Sequence, residues 1–288
     1  MSQSVRAACV VGWPVKHSRS PVIHGHWIKQ YKLDAAYRRE EIAPEAFAGF
    51  VEQLSARGYV GANITIPHKE AALAMSEPDG RARAVGAANT LWYDNGRLFS
   101  TNTDVEGFTA NLDASVPGWE QRADEAVVLG AGGSARAVIY GLIERGVGKI
   151  NVINRTPERA EALQARFGAA VHPVHASALP HVLARSGLLV NTTSLGMTGQ
   201  PPLDIALDPL PRHAVVADLV YAPLHTLLLV AARNRGLATA DGLGMLLHQA
   251  VRGFQLWFGI RPDVTDELRA LVEDDLRKAQ TSETDCVK

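Results

Sequence analysis

Residues 125–137 read Glu125-Ala126-Val127-Val128-Leu129-Gly130-Ala131-Gly132-Gly133-Ser134-Ala135-Arg136-Ala137. A short apolar run with strand character, Glu125 to Leu129, enters a glycine-rich turn, and good helix formers follow as far as Glu144. Strand, glycine turn and helix in that order form the context in which a dinucleotide fingerprint has physical meaning. Gly130 permits the tight turn, and Gly132 takes a Cβ out of the way where backbone would approach a pyrophosphate. Ala135 holds the third position, where a small residue lets helix and strand pack closely. The helix start then turns unpaired N–H groups and its positive end toward the phosphates. A glycine turn with no ligand is the plain alternative, and the flanking strand and helix weigh against it.

The next strand, Lys149 to Asn154, sharpens the choice of nucleotide. It ends in Asn154-Arg155-Thr156, where an NAD site carries an acidic residue for the ribose hydroxyls. Here the residue is a cation between hydrogen-bonding neutrals, and Arg159 follows one turn into the helix Pro157 to Phe167. A guanidinium offers a planar fork of donors to a phosphate, so the charge favours the 2′-phosphate of NADP. Arg159 read alone is also compatible with a solvated helix position.

Outward from this unit, strand and helix patterns alternate through most of the chain, the signature of an α/β protein. Ala7 to Val11 is expected to form a buried strand and Pro21 to Tyr31 a helix, with Ser20 as N-cap and Pro21 in the first turn. Ala36 to Glu41 reads as strand, Pro44 to Arg57 as helix ended by Gly58, and Tyr59 to Ile66 as strand. Asn111 to Asp124, with Pro117 and Gly118, reads as a junction. Leu188 to Asn191, Ala214 to Leu219 and Ala238 to Ala240 are expected as later strands, and Leu243 to Trp257 as a long apolar helix. The last dozen residues are polar and expected to fray.

Composition narrows the function class. The chain has 288 residues, 47% of them hydrophobic and 20% charged, ample for a buried core. Lys and Arg number 29 against 30 Asp and Glu, which argues against a broad basic surface for nucleic acid but not against one phosphate pocket. Cys9 and Cys286 cannot build a disulfide framework or a zinc site, so a reducing, cytoplasmic setting is expected. Apolar runs such as Leu227 to Ala232 are too short to span a bilayer, and no signal peptide is expected at the N-terminus. Ten histidines call for a metal check. His24 and His26 are two apart and would face different ways on a helix, and His172 and His175 have no acidic neighbour, so no metal site is expected. Met245, Trp257 and Phe258 read as packing residues.

Four further stretches carry polar residues in places that packing does not ask for. Gly12-Trp13-Pro14-Val15-Lys16-His17-Ser18-Arg19-Ser20-Pro21 sets two hydroxyls two residues apart before a helix. Gly61-Ala62-Asn63-Ile64-Thr65-Ile66-Pro67-His68-Lys69 puts Asn63 and Thr65 into a strand pattern with Lys69 just beyond. Gly86-Ala87-Ala88-Asn89-Thr90 and Asn102-Thr103-Asp104-Val105-Glu106-Gly107 complete the set.

With these motifs in order, the sequence resembles the shikimate dehydrogenase family from about Val10 to Gly259. The resemblance also takes in Asn191-Thr192-Thr193-Ser194-Leu195-Gly196-Met197, Asp218-Leu219-Val220-Tyr221 and Gly242 to Gln249. One departure is visible: the family usually has His-Asn after Ser-Pro, whereas here His24 is followed by Gly25, which is expected to loosen the helix by up to about 1 kcal/mol.

The resemblance implies an N-terminal α/β substrate domain over 1–110, a Rossmann-like NADP domain over 111–240, and C-terminal helices over 241–288 that pack back on the first domain. It implies NADP-dependent, reversible reduction of 3-dehydroshikimate to shikimate, in aromatic amino-acid biosynthesis. Ser18, Ser20, Thr65, Asn89 and Gln249 would bind the substrate, with Tyr221 nearby, and Lys69 and Asp104 would be the catalytic pair. Thr192, Ser194, Met197, Leu219 and Gly242 would lie at the nicotinamide end, and Gly130 to Ala135 with Asn154, Arg155, Thr156 and Arg159 would hold the rest of the cofactor. Oxidising a secondary alcohol removes a hydride to the cofactor and a proton from oxygen, and only the proton is the protein's task. Lys69 can take and return that proton, while Asp104 orients the lysine and the substrate hydroxyl. The expected partners are small molecules, with no nucleic acid and no membrane, and the chain would act as a monomer or homodimer. A quinate/shikimate dehydrogenase using NAD is the nearest alternative, although both serines, Thr65 and Arg155 weigh against it. A non-catalytic NADP-binding regulator is the alternative of another class, and intact Lys69 and Asp104 weigh against that.

Overall fold

The computed structural model describes residues 6–285, with side chains to residue 279. The chain forms two compact units: residues up to 103 together with those from 249 onward, and residues 104–248. Both breaks fall inside helices.

The second unit contains most of α5 (Thr103–Ser115), then β7 (Glu125–Leu129), α6 (Gly133–Glu144), β8 (Lys149–Ile153), α7 (Pro157–Phe167), β9 (Val171–Pro173) and α8 (Leu179–Leu183). It continues with β10 (Leu188–Asn191), β11 (Val215–Asp218), α9 (Leu227–Asn234), β12 (Ala238–Ala240) and the start of α10 (Gly242–Phe258). Its six strands are all parallel, in the order β12-β11-β10-β7-β8-β9. Counted from β7, this is the doubly wound 3-2-1-4-5-6 arrangement, whose direction reverses between β7 and β10.

The pleat explains why these strands read as unbroken apolar runs. Ala126 and Val128 of β7 join Leu188, Val190, Val215 and Ala217 in a core with Phe108 and Leu112 of α5 and with Val138, Ile139 and Leu142 of α6. Val127, Leu129, Leu189 and Val216 face the other way, onto Val182 and Leu183 of α8 and Leu228, Leu229 and Ala232 of α9. A parallel sheet covered by helices on both faces has no solvent face to make polar.

The first unit comprises β1 (Arg6–Gly12), α1 (Ser20–Gln30), β2 (Ala35–Glu41), α2 (Phe47–Glu52), β3 (Tyr59–Ile64), α3 (Lys69–Ala74) and β4 (Glu77–Pro78). After these come α4 (Gly80–Val85), β5 (Thr90–Asp94) and β6 (Arg97–Thr101), and from the C-terminal part of the chain the end of α10 and α11 (Asp266–Asp285). The sheet order is β2-β1-β3-β5-β6-β4, with β5 antiparallel to both β3 and β6. Asn95 and Gly96 join β5 to β6 at φ 50° and 77°. Two consecutive positive φ values mark the type I′ hairpin that an Asn-Gly pair favours. On one face Ala7, Cys9 and Val11 pack with Phe47, Phe50, Val51 and Leu54. Trp257 of α10 donates its indole N–H to the Leu91 carbonyl at 2.8 Å, in space that a Cβ on Gly61 would occupy.

Several expectations are corrected. Helix α1 begins at Ser20, its N-cap is Arg19, and no side chain caps it. Ser18 Oγ instead accepts the Ser20 N–H at 3.3 Å. The helix runs unbroken through the exposed Gly25. Helix α2 ends at Glu52 and is followed by turns, although Gly58 does sit at φ 83°. Strand β3 ends at Ile64, ahead of Pro67. Residues 111–115 belong to α5, because Val105, Phe108 and Leu112 form a buried stripe and the polar Asn111 is tied to the Asp241 carbonyl at 2.7 Å. The polar end of the chain is helical to Asp285, with Leu268, Val272 and Leu276 buried along one face and Asp275 on that face paired with Arg19 at 3.0 Å. Cys9 is a buried free thiol, and Cys286 lies outside the described residues.

Candidate functional site

The residues expected to hold substrate lie mostly in the first unit, at the ends of β1 and β3 and around β5. Thr65 follows β3 and donates its N–H to Val11 O at 2.9 Å, and the lack of a Cβ on Gly12 leaves room for its methyl group. His68 is buried and stacks on Phe47 with ring centroids 4.3 Å apart, and its Nε2 lies 2.7 Å from Ile42 O. That anchor fixes the residue before Lys69, which opens α3 and whose carbonyl accepts from Ala88 N–H at 2.9 Å. The Lys69 turn is thereby bound to the segment carrying Asn89. Ser18 and Ser20 lie together, with their hydroxyl oxygens 3.2 Å apart.

Asn89 sits at the centre of a buried polar chain. Its Oδ1 accepts from Thr103 N–H at 2.7 Å and from Thr90 Oγ1 at 3.1 Å, and its Nδ2 donates to Thr103 Oγ1 at 3.1 Å. Thr103 Oγ1 lies 3.4 Å from Gln249 Oε1, so one hydroxyl joins two of the expected substrate ligands. On the other side Asn63 Nδ2 donates to Thr90 Oγ1 at 3.2 Å, and Tyr37 donates its hydroxyl to Asn63 Oδ1 at 2.6 Å. Asn63, Asn89, Thr90, Thr103 and Gln249 are each under 10% exposed, so a polar chain of this length survives only because its members satisfy one another. Tyr37 had no signal of its own in the sequence, whereas Thr90 closes the polar stretch Gly86 to Thr90. Asn63 had one, as an amide inside a strand pattern. Asp104 follows Thr103 in the first turn of α5, and it belongs, with Tyr221, to the second unit.

The residues expected to hold cofactor all lie in the second unit, at the carboxyl ends of its strands. Gly130 follows β7 at φ 102°, and a Cβ there would come within 2.7 Å of Thr192 Oγ1. Glycine is therefore required twice over, by conformation and by the close approach of the segment after β10. Thr192 donates its hydroxyl to Leu129 O at 2.7 Å. Gly132 is the N-cap of α6, in extended conformation, and nothing lies within 4 Å of where its Cβ would be. The first turn of α6 carries no acidic residue, no side chain caps it, and Gly132, Gly133 and Ser134 are exposed. Ala135 is fully buried against the sheet. This open, uncapped helix start at the point where sheet direction reverses fits a pyrophosphate.

At the end of β8, Asn154 Nδ2 bonds Thr156 O at 2.8 Å, shaping the turn that exposes Arg155, and Arg159 is exposed one turn on. Beyond β10 and β11, a Cβ on Gly242 would meet Val220 O at 2.7 Å, so Gly242 lies directly on the Leu219–Val220 backbone. Ser194 and Met197 are exposed on the loop after β10, and Tyr221 is half-buried. Met245 packs against the core of the second unit and Trp257 is buried in the first. Among the described residues no group of three or more His, Cys, Asp or Glu is placed to hold a metal ion, and no helix is long and apolar enough to cross a membrane.

Comparison with known proteins gives three family matches along the chain. Residues 10–91 match the shikimate dehydrogenase substrate binding domain, residues 115–197 the shikimate / quinate 5-dehydrogenase domain, and residues 242–273 the shikimate 5′-dehydrogenase C-terminal domain. A shikimate dehydrogenase (NADP(+)) of Nitrobacter hamburgensis is 65% identical over 272 residues, covering 94% of this chain and 95% of its own. Among solved structures, shikimate 5-dehydrogenase of Thermus thermophilus in complex with NADP(H) and shikimate is 36% identical with a TM-score of 0.82, covering 95% of this chain and 99% of that one. Quinate dehydrogenase of Corynebacterium glutamicum in complex with NAD is 32% identical with a TM-score of 0.84, covering 92% of this chain and 98% of that one. A doubly wound unit with an open glycine turn, a mixed-sheet unit with a buried amide and hydroxyl chain, and this likeness over nearly the full length together place the chain in the shikimate dehydrogenase family.

Proposed function

We propose that the chain is an NADP-dependent shikimate dehydrogenase, which interconverts 3-dehydroshikimate, NADPH and a proton with shikimate and NADP⁺. The observation that carries the cofactor choice is the turn after β8, where exposed Arg155 stands in place of an acidic residue. Its relatives' names support the same reading. Bound NADP supplies the hydride chemistry. The backbone from Gly130 to Ala135 receives the pyrophosphate, and Asn154, Arg155, Thr156 and Arg159 the 2′-phosphate end. Thr192, Ser194, Met197, Leu219 and Gly242 receive the nicotinamide end.

Ser18, Ser20, Thr65, Asn89 and Gln249 bind the carboxylate and hydroxyls of the substrate, with Tyr221 beside them. Lys69 donates the proton to the carbonyl oxygen in the reductive direction and accepts it in the oxidative one. Asp104 orients the ammonium of Lys69 and the substrate hydroxyl. In this reading the enzyme works in the cytoplasm, as a monomer or homodimer, in aromatic amino-acid biosynthesis.

The likeness to a quinate dehydrogenase in complex with NAD keeps one second reading in play, a quinate/shikimate dehydrogenase that uses NAD. Absorbance at 340 nm, with shikimate and quinate each crossed with NADP⁺ and NAD⁺, tests both. Shikimate with NADP⁺ is expected to give the highest kcat/KM, and a higher value for quinate with NAD⁺ would put the second reading in place of the first.

A further inference from the structure

Asp218 closes β11 and is 2% exposed, yet among the described residues no cation pairs with it. Its Oδ1 accepts from Asn191 Nδ2 at 2.9 Å and from Val220 N–H at 3.0 Å, and its Oδ2 accepts from the Thr226 hydroxyl at 2.7 Å. Burial pushes its carboxyl above the usual range, while the three hydrogen bonds pull it back. A buried carboxylate held by neutral donors alone is costly, and simple packing gives no reason for it.

What it controls is the facing of Asn191. A carboxylate oxygen only accepts, so Asn191 must turn its NH₂ toward Asp218 and its carbonyl oxygen the other way. That oxygen takes Thr193 N–H at 3.0 Å and the Thr193 hydroxyl at 2.7 Å, and Thr193 Oγ1 in turn takes Leu195 N–H at 3.1 Å. Asn191 Nδ2 also reaches Leu195 O at 3.2 Å. The loop after β10 is thus wound around one amide whose orientation Asp218 dictates. The same carboxylate oxygen holds Val220 N–H and so shapes the start of the loop after β11, while Leu219 N–H bonds Asn191 O at 3.0 Å. Through Thr226, which accepts Leu229 N–H at 3.3 Å, it also reaches the cap of α9.

We propose that Asp218 is the positioning residue for the nicotinamide end of the cofactor site. By accepting from Asn191, Val220 and Thr226 at once, it holds the loops after β10 and β11 in the single arrangement that receives the reactive ring. This rests on the NADP reading above and deepens it. The adenosine end lies on the other side of the reversal, along β8, and does not depend on Asp218.

The test is a binding comparison on the purified full chain. NADPH affinity is measured by fluorescence titration. Adenosine 2′,5′-bisphosphate, which carries the 2′-phosphate but no nicotinamide, is measured by calorimetry. Asp218→Asn removes the charge and allows the Asn191 amide to turn, so NADPH affinity is expected to fall about ten- to a hundredfold, the usual worth of a charged hydrogen bond. The bisphosphate should bind as it does to the parent chain. Equal loss of both ligands would mean that Asp218 merely supports the fold, and unchanged NADPH affinity would mean that it positions nothing; either overturns the proposal. Should Asp218→Asn fail to fold, Thr193→Val cuts the same relay beyond Asn191 and must show the same split in smaller degree, or the proposal fails. Failure of the parent chain to bind NADPH at all would instead overturn the cofactor reading.

Discussion

The sheet of the second unit is nearly dry, with Asn151 of β8 a buried exception, and the sheet of the first is not. Strands β7, β10 and β11 bury apolar side chains on both faces, and polar groups gather only where the strands end. The sheet of the first unit buries Asn63, Thr90, Ser100 and Thr101 within or beside its strands and continues them into Asn89, Asn102 and Thr103. In the proposed reading the difference follows from what each unit would recognise. A pyrophosphate is held by backbone N–H groups that any residues of suitable size supply, so the sheet beneath is free to be pure core. A small polyhydroxylated acid has to be met by side chains, whose supports must in turn be satisfied or carry a heavy penalty. The first unit should therefore be sensitive to single side-chain changes, and the second chiefly to changes in backbone freedom or in the few charges at strand ends.

The sharpest test of that contrast is at Lys69. Lys69→Ala is expected to lower kcat about 10²–10⁴-fold, the usual range for general acid–base help, with shikimate affinity held within about tenfold. In the proposed mechanism the lysine acts on charge that develops as hydride and proton part, and such an interaction appears in kcat. Ser18→Ala should show the reverse pattern, raising KM more than it lowers kcat, because a contact to the carboxylate exists before and during reaction. Steady-state kinetics with calorimetric titration of shikimate reads both. Near-normal kcat with lost affinity in Lys69→Ala would make Lys69 a binding residue.

The corresponding change in the second unit is smaller. Arg155→Ala should weaken NADP⁺ about ten- to a hundredfold while leaving NAD⁺ nearly unchanged, since one charge-assisted hydrogen bond is lost only where a 2′-phosphate exists to make it. Direct titration with each nucleotide decides the matter, and equal losses would detach Arg155 from the 2′-phosphate.

The contrast between the units also governed what could be read from sequence. Strands β7, β8 and β10 and helix α7 stood out because a doubly covered strand is an apolar run and Pro157 and Phe167 bound a clean helical period. The Gly130 turn and the Arg155 turn were legible because backbone recognition leaves its mark as glycines and local charges. Between Pro67 and Thr101 the pattern was nearly silent. Helix α4 is six residues long, β4 only two, and the hydrogen-bonded polar residues of β5 and β6 break the alternation that marks a strand. The Asn95-Gly96 hairpin was nevertheless written in the sequence, as were the cap of α4 by Asp79, which accepts Ala82 N–H at 2.8 Å, and its stop at Gly86 with φ 70°. What could not be read was the partnership of Tyr37 with Asn63 and of Asn63 with Thr90, which depends on strand order and register rather than on any local signal.

One buried polar residue of the first unit is left out of the satisfied chain. His24 is fully buried, stacked on Tyr37 with centroids 4.1 Å apart, and neither ring nitrogen has a hydrogen-bond partner within bonding geometry. Burial lowers its pKa to about 3, with the Asn63 side chain opposing the shift. The folded state thus holds a neutral imidazole, while an unfolded chain takes up a proton near pH 6.5. Protonation favours unfolding, so this contribution is fully present above about pH 6.5 and falls by up to about 1.4 kcal/mol per pH unit as pH drops toward the folded value. Replacing His24 by Phe keeps a ring among Trp27, Tyr37, Phe254 and Trp257 and removes the titration. Denaturant melts between pH 7 and pH 5 should show the parent chain losing stability faster than His24→Phe, and parallel pH profiles would show that His24 is not held neutral.

The smallest effect expected sits on the same helix, one residue further on. Gly25 is exposed in the middle of α1, and a Cβ built there meets nothing within 4 Å. No positive φ and no close approach demands a glycine, so its lack of a side chain only enlarges the conformational freedom of the unfolded chain. Gly25→Ala should therefore stabilise the protein by about 0.5–1 kcal/mol, through helix propensity and unfolded-state entropy. None of the proposed substrate ligands is altered, so kcat and KM for shikimate should stay at parent values. A shift of the denaturant midpoint with constant slope measures the gain. If the midpoint does not move, or moves down, the backbone at position 25 has a role that neither its exposure nor its helical geometry discloses, and the sensitivity ascribed to side chains in the first unit would have to extend to its outer helix.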